Sequence, residues 1–156
     1  METINVFIAA IVTIGYFVFA TKLLTAFLKK FAEPMNQAAG ILLIGTLIGF
    51  GINLKDFSEI AVSSFYFYAQ SGKWFYAGAF WFLFAGIAFI FSYVLFRFGF
   101  ILVNFATPEN EKAELGKNNV ILAGIHAVIY IMLCYILSEP LTLLANTFVG
   151  YSQIPN

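Results

Sequence analysis

The sequence predicts an all-α integral membrane fold with four transmembrane helices, and three observations carry that prediction. First, the runs Thr3–Thr21, Pro34–Leu54, Trp74–Phe96 and Asn118–Ser138 contain no Asp, Glu, Lys or Arg. Each is close to the roughly 20 apolar residues a helix needs to cross the ~30 Å hydrocarbon layer. Second, 62% of the 156 residues are hydrophobic and only 10% are charged. An average soluble domain carries about 25% charged residues. Third, the runs are apolar nearly all the way round, whereas helices of a soluble bundle keep a polar stripe.

The length fits one domain, residues 1–156. The net charge is zero, so no nucleic-acid footprint is present. The single cysteine, Cys134, supports neither a disulfide framework nor a thiol-metal site within one chain.

The first helix is expected over about 4–31. The opening Met-Glu-Thr-Ile-Asn lacks a basic leader and a small-x-small cleavage signal, so this run reads as a retained span. Lys22 near its end can snorkel to the headgroups. Glu33-Pro34 ends the element, because proline disfavours the α conformation in the residue before it. The second helix is expected over 35–54, with Lys55-Asp56 marking the next interface. The mixed segment 57–72 is expected to lie along the membrane surface. The third helix is expected over 74–105, with Arg97 late in it, as Lys22 is late in the first. The charged stretch 107–117 reads as a solvated loop. The fourth helix is expected over 118–138, interrupted by Glu139-Pro140, with 141–151 an interfacial segment. In plan the two halves are alike, which suggests two repeated helical hairpins.

Orientation follows from basic residues near the spans. Lys22, Lys29, Lys30, Arg97, Lys112 and Lys117 flank the first and third loops, and only Lys55 and Lys73 flank the second. This places both termini outside and the 107–117 loop in the cytoplasm. The aromatics Phe65 to Tyr68 and Trp74 to Tyr76 suit the opposite interface, where such rings meet both lipid and water.

Candidate site residues are few. Gly45 and Gly49 form a small-xxx-small pair that lets another backbone come close, and Gly40 extends the small-residue content. The pair reads as a helix-packing interface, weighed against ordinary glycine tolerance in membrane helices. Asn36, Thr46, Asn53, Asn119 and His126 are candidates for a polar seam. Asn119, Ala123, His126, Tyr130 and Cys134 fall on one stripe at helical spacing. His126 is the single histidine, and an ionisable residue at membrane depth is a functional hypothesis by default. The competing reading is a neutral, structural His126 hydrogen-bonded to a neighbouring helix. Glu139 reads as an interface marker, or as a gating carboxylate. No metal site is expected, since one His and one Cys do not supply the ligands. No Ser-His-Asp set, GxSxG, HExxH or phosphate loop is present.

The stretch from Asn36 to Leu54, Asn-Gln-Ala-Ala followed by Gly-Thr-Leu-Ile-Gly, resembles the signature of the YjfL-like small inner-membrane proteins, a family of unknown function. Glu111 to Lys117 and Arg97 also look like features of that family, whereas the Asn119-led helix and the extra tail Leu141–Asn156 depart from it. The resemblance implies a bacterial inner (plasma) membrane protein with a link to envelope stress, and it supplies no catalytic residue. The expected function is non-enzymatic and without cofactor. The chain is expected to be a structural or accessory subunit assembling in the bilayer among membrane lipids, as a homo-oligomer or with a partner membrane protein. The alternative is a small oligomeric channel or transporter using the polar seam.

Overall fold

The computed structural model describes the backbone of residues 2–107 and 110–149. Among these residues there is no strand. Five helices follow in order: α1 (Glu2–Lys29), α2 (Gln37–Gln70), α3 (Trp74–Ala106), α4 (Glu111–Gly116) and α5 (Val120–Val149). Three of them, α2, α3 and α5 as far as Leu143, are long and apolar enough to cross a membrane.

The second helix does not stop at Lys55. It runs unbroken for 34 residues, so 57–72 is not a separate surface segment. The physical reason is that neither Lys nor Asp breaks a helix, and no Gly or Pro intervenes between Gly51 and Gly72. The apolar stripe also continues: Leu54, Phe57, Ile60 and Ala61 are all buried. At 1.5 Å per residue α2 reaches ~51 Å, well past the ~30 Å hydrocarbon layer. It ends at Ser71 and Gly72, where Gly72 takes φ 75, a left-handed conformation that glycine adopts without a Cβ clash. Across this turn Phe65 meets Trp74 edge-on and Tyr68 lies beside Tyr76, with ring centroids 6.1 and 6.2 Å apart.

Pro140 does not end the fourth expected helix either. α5 continues through it to Val149, and residues 150 and 151 of the expected interfacial segment lie outside the described residues. Helix is the conformation that satisfies backbone groups in lipid, and proline is tolerated inside one there. The missing Pro140 N–H frees the Ile136 carbonyl alone of the i−4 ladder, while on either side Ser138 and Thr142 donate to the carbonyls of Tyr135 and Ser138, at 3.0 and 2.9 Å.

The 107–117 stretch is not simply a solvated loop. It carries α4, capped by Asn110, whose side chain accepts from the Lys112 amide at 3.1 Å. Glu111 and Leu115 of α4 are buried; Pro108 and Glu109 lie outside the described residues.

α2 is the central helix and packs chiefly on α5 and α3. α1 lays one row on the bundle, with Tyr16, Ala20, Leu24 and Leu28 buried at every fourth position. Outward faces are strongly apolar: Ile121 is 77% and Phe105 91% exposed. Such a surface suits a lipid solvent rather than water.

Candidate functional site

The interior is built where α2, α3 and α5 meet. On α2, Leu42, Thr46, Phe50 and Asn53 recur at helical spacing and are buried. On α5, Ala123, His126, Tyr130 and Cys134 do the same. α3 contributes Ser92, Phe96 and Phe100.

Glycines set the distances. A Cβ on Gly45 would lie 2.4 Å from Ala127 Cβ, and one on Gly49 would lie 2.3 Å from the Tyr130 ring. The Gly45–Gly49 pair therefore faces α5 within the same chain. Gly40 does not share this role, because a Cβ there would meet nothing within 4 Å. Gly99, on α3, makes room for the histidine: a Cβ there would lie 2.7 Å from His126 Nε2.

The expected polar seam divides into two groups. Asn36 and Asn119 are not in the interior. Asn36 caps α2, accepting from the Ala39 amide at 2.9 Å, and its own amide donates to the Leu115 carbonyl at 2.6 Å. Asn119 accepts from the Leu122 amide at 3.1 Å and donates to Glu114 at 3.0 Å. Capping explains both: asparagine side chains satisfy amides that a helix start leaves unpaired. Asn118, which sequence reasoning passed over, takes φ 62 and accepts from the Ala38 amide at 2.9 Å. The starts of α2 and α5 are thus pinned to each other. Lys117 and Asn119 hold the Glu114 carboxyl below its ordinary range by hydrogen bonding to it.

Thr46, Asn53 and His126 are the interior group, each fully buried. Thr46 satisfies itself, donating to the Leu42 carbonyl one turn back at 2.6 Å. Asn53 bridges all three helices, donating to Ser92 Oγ at 2.9 Å and reaching Cys134 Sγ at 3.4 Å. Tyr130 donates to the Ser92 carbonyl at 3.2 Å. One turn along α5, His126 Nδ1 contacts Glu111 Oε1. Neither side chain of this pair has any exposed surface. The rings of Phe96 and Phe100 enclose the imidazole, at 5.5 and 4.4 Å between centroids. Burial pushes the Glu111 carboxyl above its ordinary range, and the His126 contact pulls partly against this. Glu111 Oε2 and His126 Nε2 have no hydrogen-bond partner among the described residues.

Glu111 was invisible in the sequence because it sits in a charged stretch that reads as solvated. Its one signal is spacing: an acid 15 residues before the single histidine, with the short turn at Lys117 to Asn119 between them. Among the described residues no three His, Cys, Asp or Glu side chains gather, so the pair lacks a third metal ligand.

Beyond Asn53 the buried side of α2 turns mainly apolar, with Ser64 its one buried polar side chain among the described residues. Leu54, Phe57, Ala61 and Trp81 are buried together there. Among the described residues the polar seam is therefore blind, running from Glu111 inward to Asn53 and Cys134, with the buried Ser64 set apart further along α2. A separate, almost wholly apolar groove of about 490 Å³ opens between α1 and α3, lined by Gly15, Tyr16, Ala85, Gly86 and Phe89 among others.

Long apolar helices packed around a blind polar seam define an all-helical protein compatible with a membrane. The chain matches the family described as Domain of Unknown Function (DUF350) over residues 1–141, and it belongs to that family. No curated protein and no solved structure matches the chain.

Proposed function

We propose that the chain is a four-span, non-enzymatic membrane protein that acts as a structural or accessory subunit assembling in the bilayer. In this reading α1 is the fourth span, since its 28 residues reach ~42 Å as a helix. The chain is then two helical hairpins, α1 with α2 and α3 with α5, of the YjfL-like type. Its setting is a bacterial inner membrane with both termini outside, and a link to envelope stress follows from the same resemblance.

The observation that carries the reading is the blind seam. Polar groups enter from the α4 side and meet Leu54, Phe57 and Trp81, so the described residues of a single bundle give no continuous polar path. Conduction needs a lined, continuous pore. Close packing through Gly45 and Gly49 instead suits a rigid building block. The channel or transporter reading keeps one supporting observation, the Asn53–Ser92–Cys134 cluster deep between three helices. It requires either a pore between copies or an opening of the apolar plug.

The test uses the full chain. In native-lipid nanodiscs its mass should exceed that of one chain with its lipid, as a homo-oligomer or a defined complex. In liposomes, proton, potassium and chloride leakage should stay at the protein-free level. Flux above that level would select the channel reading, and a monomer in nanodiscs would remove the assembly reading.

A further inference from the structure

We infer that Glu111 and His126 form one proton-binding site that keeps α4 docked on the membrane bundle. The inference does not depend on the assembly or the channel reading. It rests on where the two groups lie. α4 has six residues, too few to be stable alone. It is held by Leu115, by the Asn36 bond to the Leu115 carbonyl, by the Glu111 amide donating to Asn104 at 2.9 Å, and by the buried Glu111–His126 contact.

The charge arithmetic singles out one protonation level. With one proton the pair is neutral overall, as carboxylate with imidazolium or as carboxylic acid with imidazole. With none it is a buried anion, and with two a buried cation. Both are costly with zero exposed surface. The surroundings offer little compensation. α3 presents Phe96, Gly99 and Phe100 to the imidazole, and the polar but non-titratable Asn104 to the start of α4. α2 brings Gly45 against Ala127, beside His126. On α5 the next titratable group inward is Tyr130. On α4, Lys112 acts on Glu111 as a positive charge while its ammonium lies 5.4 Å over the Phe31 ring. The segment after α1 contributes that ring, and α1 itself contributes Phe27, over which the exposed Arg97 lies at 5.4 Å.

The sign of the pH dependence follows. Docked, the pair holds one proton. Undocked, the Glu111 carboxyl returns to the ordinary carboxylate range, about 4.3, from which burial raises it when α4 is docked. Above that range the docked state holds more protons than the undocked state, so docking weakens as pH rises, by up to about tenfold per pH unit.

Leu115 is buried under α4 and provides the probe. Leu115→Cys is made with Cys134→Ala and labelled in nanodiscs with a water-soluble maleimide. Rates are corrected at each pH with a free-thiol peptide. Labelling should be slow near about pH 5 and rise with pH, by up to about tenfold per unit. With Glu111→Gln added, the rise should disappear, because an amide carries no proton to lose. Coincident pH profiles with and without Glu111→Gln would overturn the site. Amide hydrogen exchange of residues 111–116 in the unaltered chain covers the case in which Leu115→Cys itself loosens α4. Protection, corrected for intrinsic rates, should fall between about pH 6 and 8.5, and equal protection at both would overturn the inference.

Discussion

The Glu111 carboxylate and the His126 imidazole, 15 residues apart in the chain, touch in a place that neither shares with solvent. The turn at Lys117 to Asn119 brings them together by reversing the chain between α4 and α5. The same turn supplies Asn118 to the start of α2, so one short segment ties the charged pair to the central helix.

Removing either member of the pair strands the other. Glu111→Leu or His126→Leu should each cost ~3–5 kcal/mol, the range for breaking a buried ion pair from one side. The double variant should cost clearly less than the sum, because no charge is then left behind. Reversible unfolding in mixed micelles measures all four corners of the cycle. Additive losses would mean that the two groups do not interact energetically.

Asn53 should matter more than its partner. It is the donor that joins α2 to both α3 and α5, while Ser92 Oγ is one of its two acceptors. Hydrogen bonds between membrane helices average ~0.6 kcal/mol, with a maximum near ~1.7. Asn53→Ala is expected to cost ~1–2 kcal/mol once the lost packing is included, and Ser92→Ala about half as much. The comparison is made by the same unfolding measurement. Equal and negligible losses would show that the bridge is idle.

Much of this arrangement was legible because lipid makes the rules simple. Charge-free length located α2, α3 and α5, and helical spacing put Ala123, His126, Tyr130 and Cys134 on one buried face. Helix ends were less legible. Lys55-Asp56 and Pro140 look like boundaries, but packing at Phe57, Ile60 and Ala61 and the need to keep backbone groups paired in lipid let the helices continue. Asn36 and Asn119 read as seam residues because sequence shows polarity without its use, and both turn out to cap helices. Glu111 was missed for the converse reason: burial of one acid within a charged stretch is a tertiary fact, of which the 15-residue spacing to His126 is the one trace in the sequence.

Topology can be tested on α4 itself. Ala113 is exposed, and the proposed orientation puts it in the cytoplasm. Ala113→Cys, made with Cys134→Ala, should resist an impermeant thiol reagent on intact cells and react after permeabilisation. Rapid labelling of intact cells would invert the orientation.

The glycines make the sharpest comparison, because three on one helix should respond with different signs. At Gly45 a new Cβ would lie 2.4 Å from Ala127 Cβ and 3.1 Å from its Cα, so the backbone itself must move. At Gly49 it would strike the buried Tyr130 ring at 2.3 Å and Cys134 Sγ at 2.9 Å. Tyr130 cannot swing aside without losing its bond to the Ser92 carbonyl. Gly45→Ala and Gly49→Ala should each cost ~1–3 kcal/mol by overpacking. Gly49→Leu, and more so Gly45→Leu with Gly49→Leu, should lower abundance and broaden the size-exclusion profile in mild detergent. Gly40→Ala meets open space, so it should gain ~0.5–1 kcal/mol of helix stability. Leu47→Phe, at a half-buried position, should fall between these extremes. If Gly45→Ala and Gly49→Ala melt at the same temperature as Gly40→Ala, then α2 and α5 do not depend on this close approach.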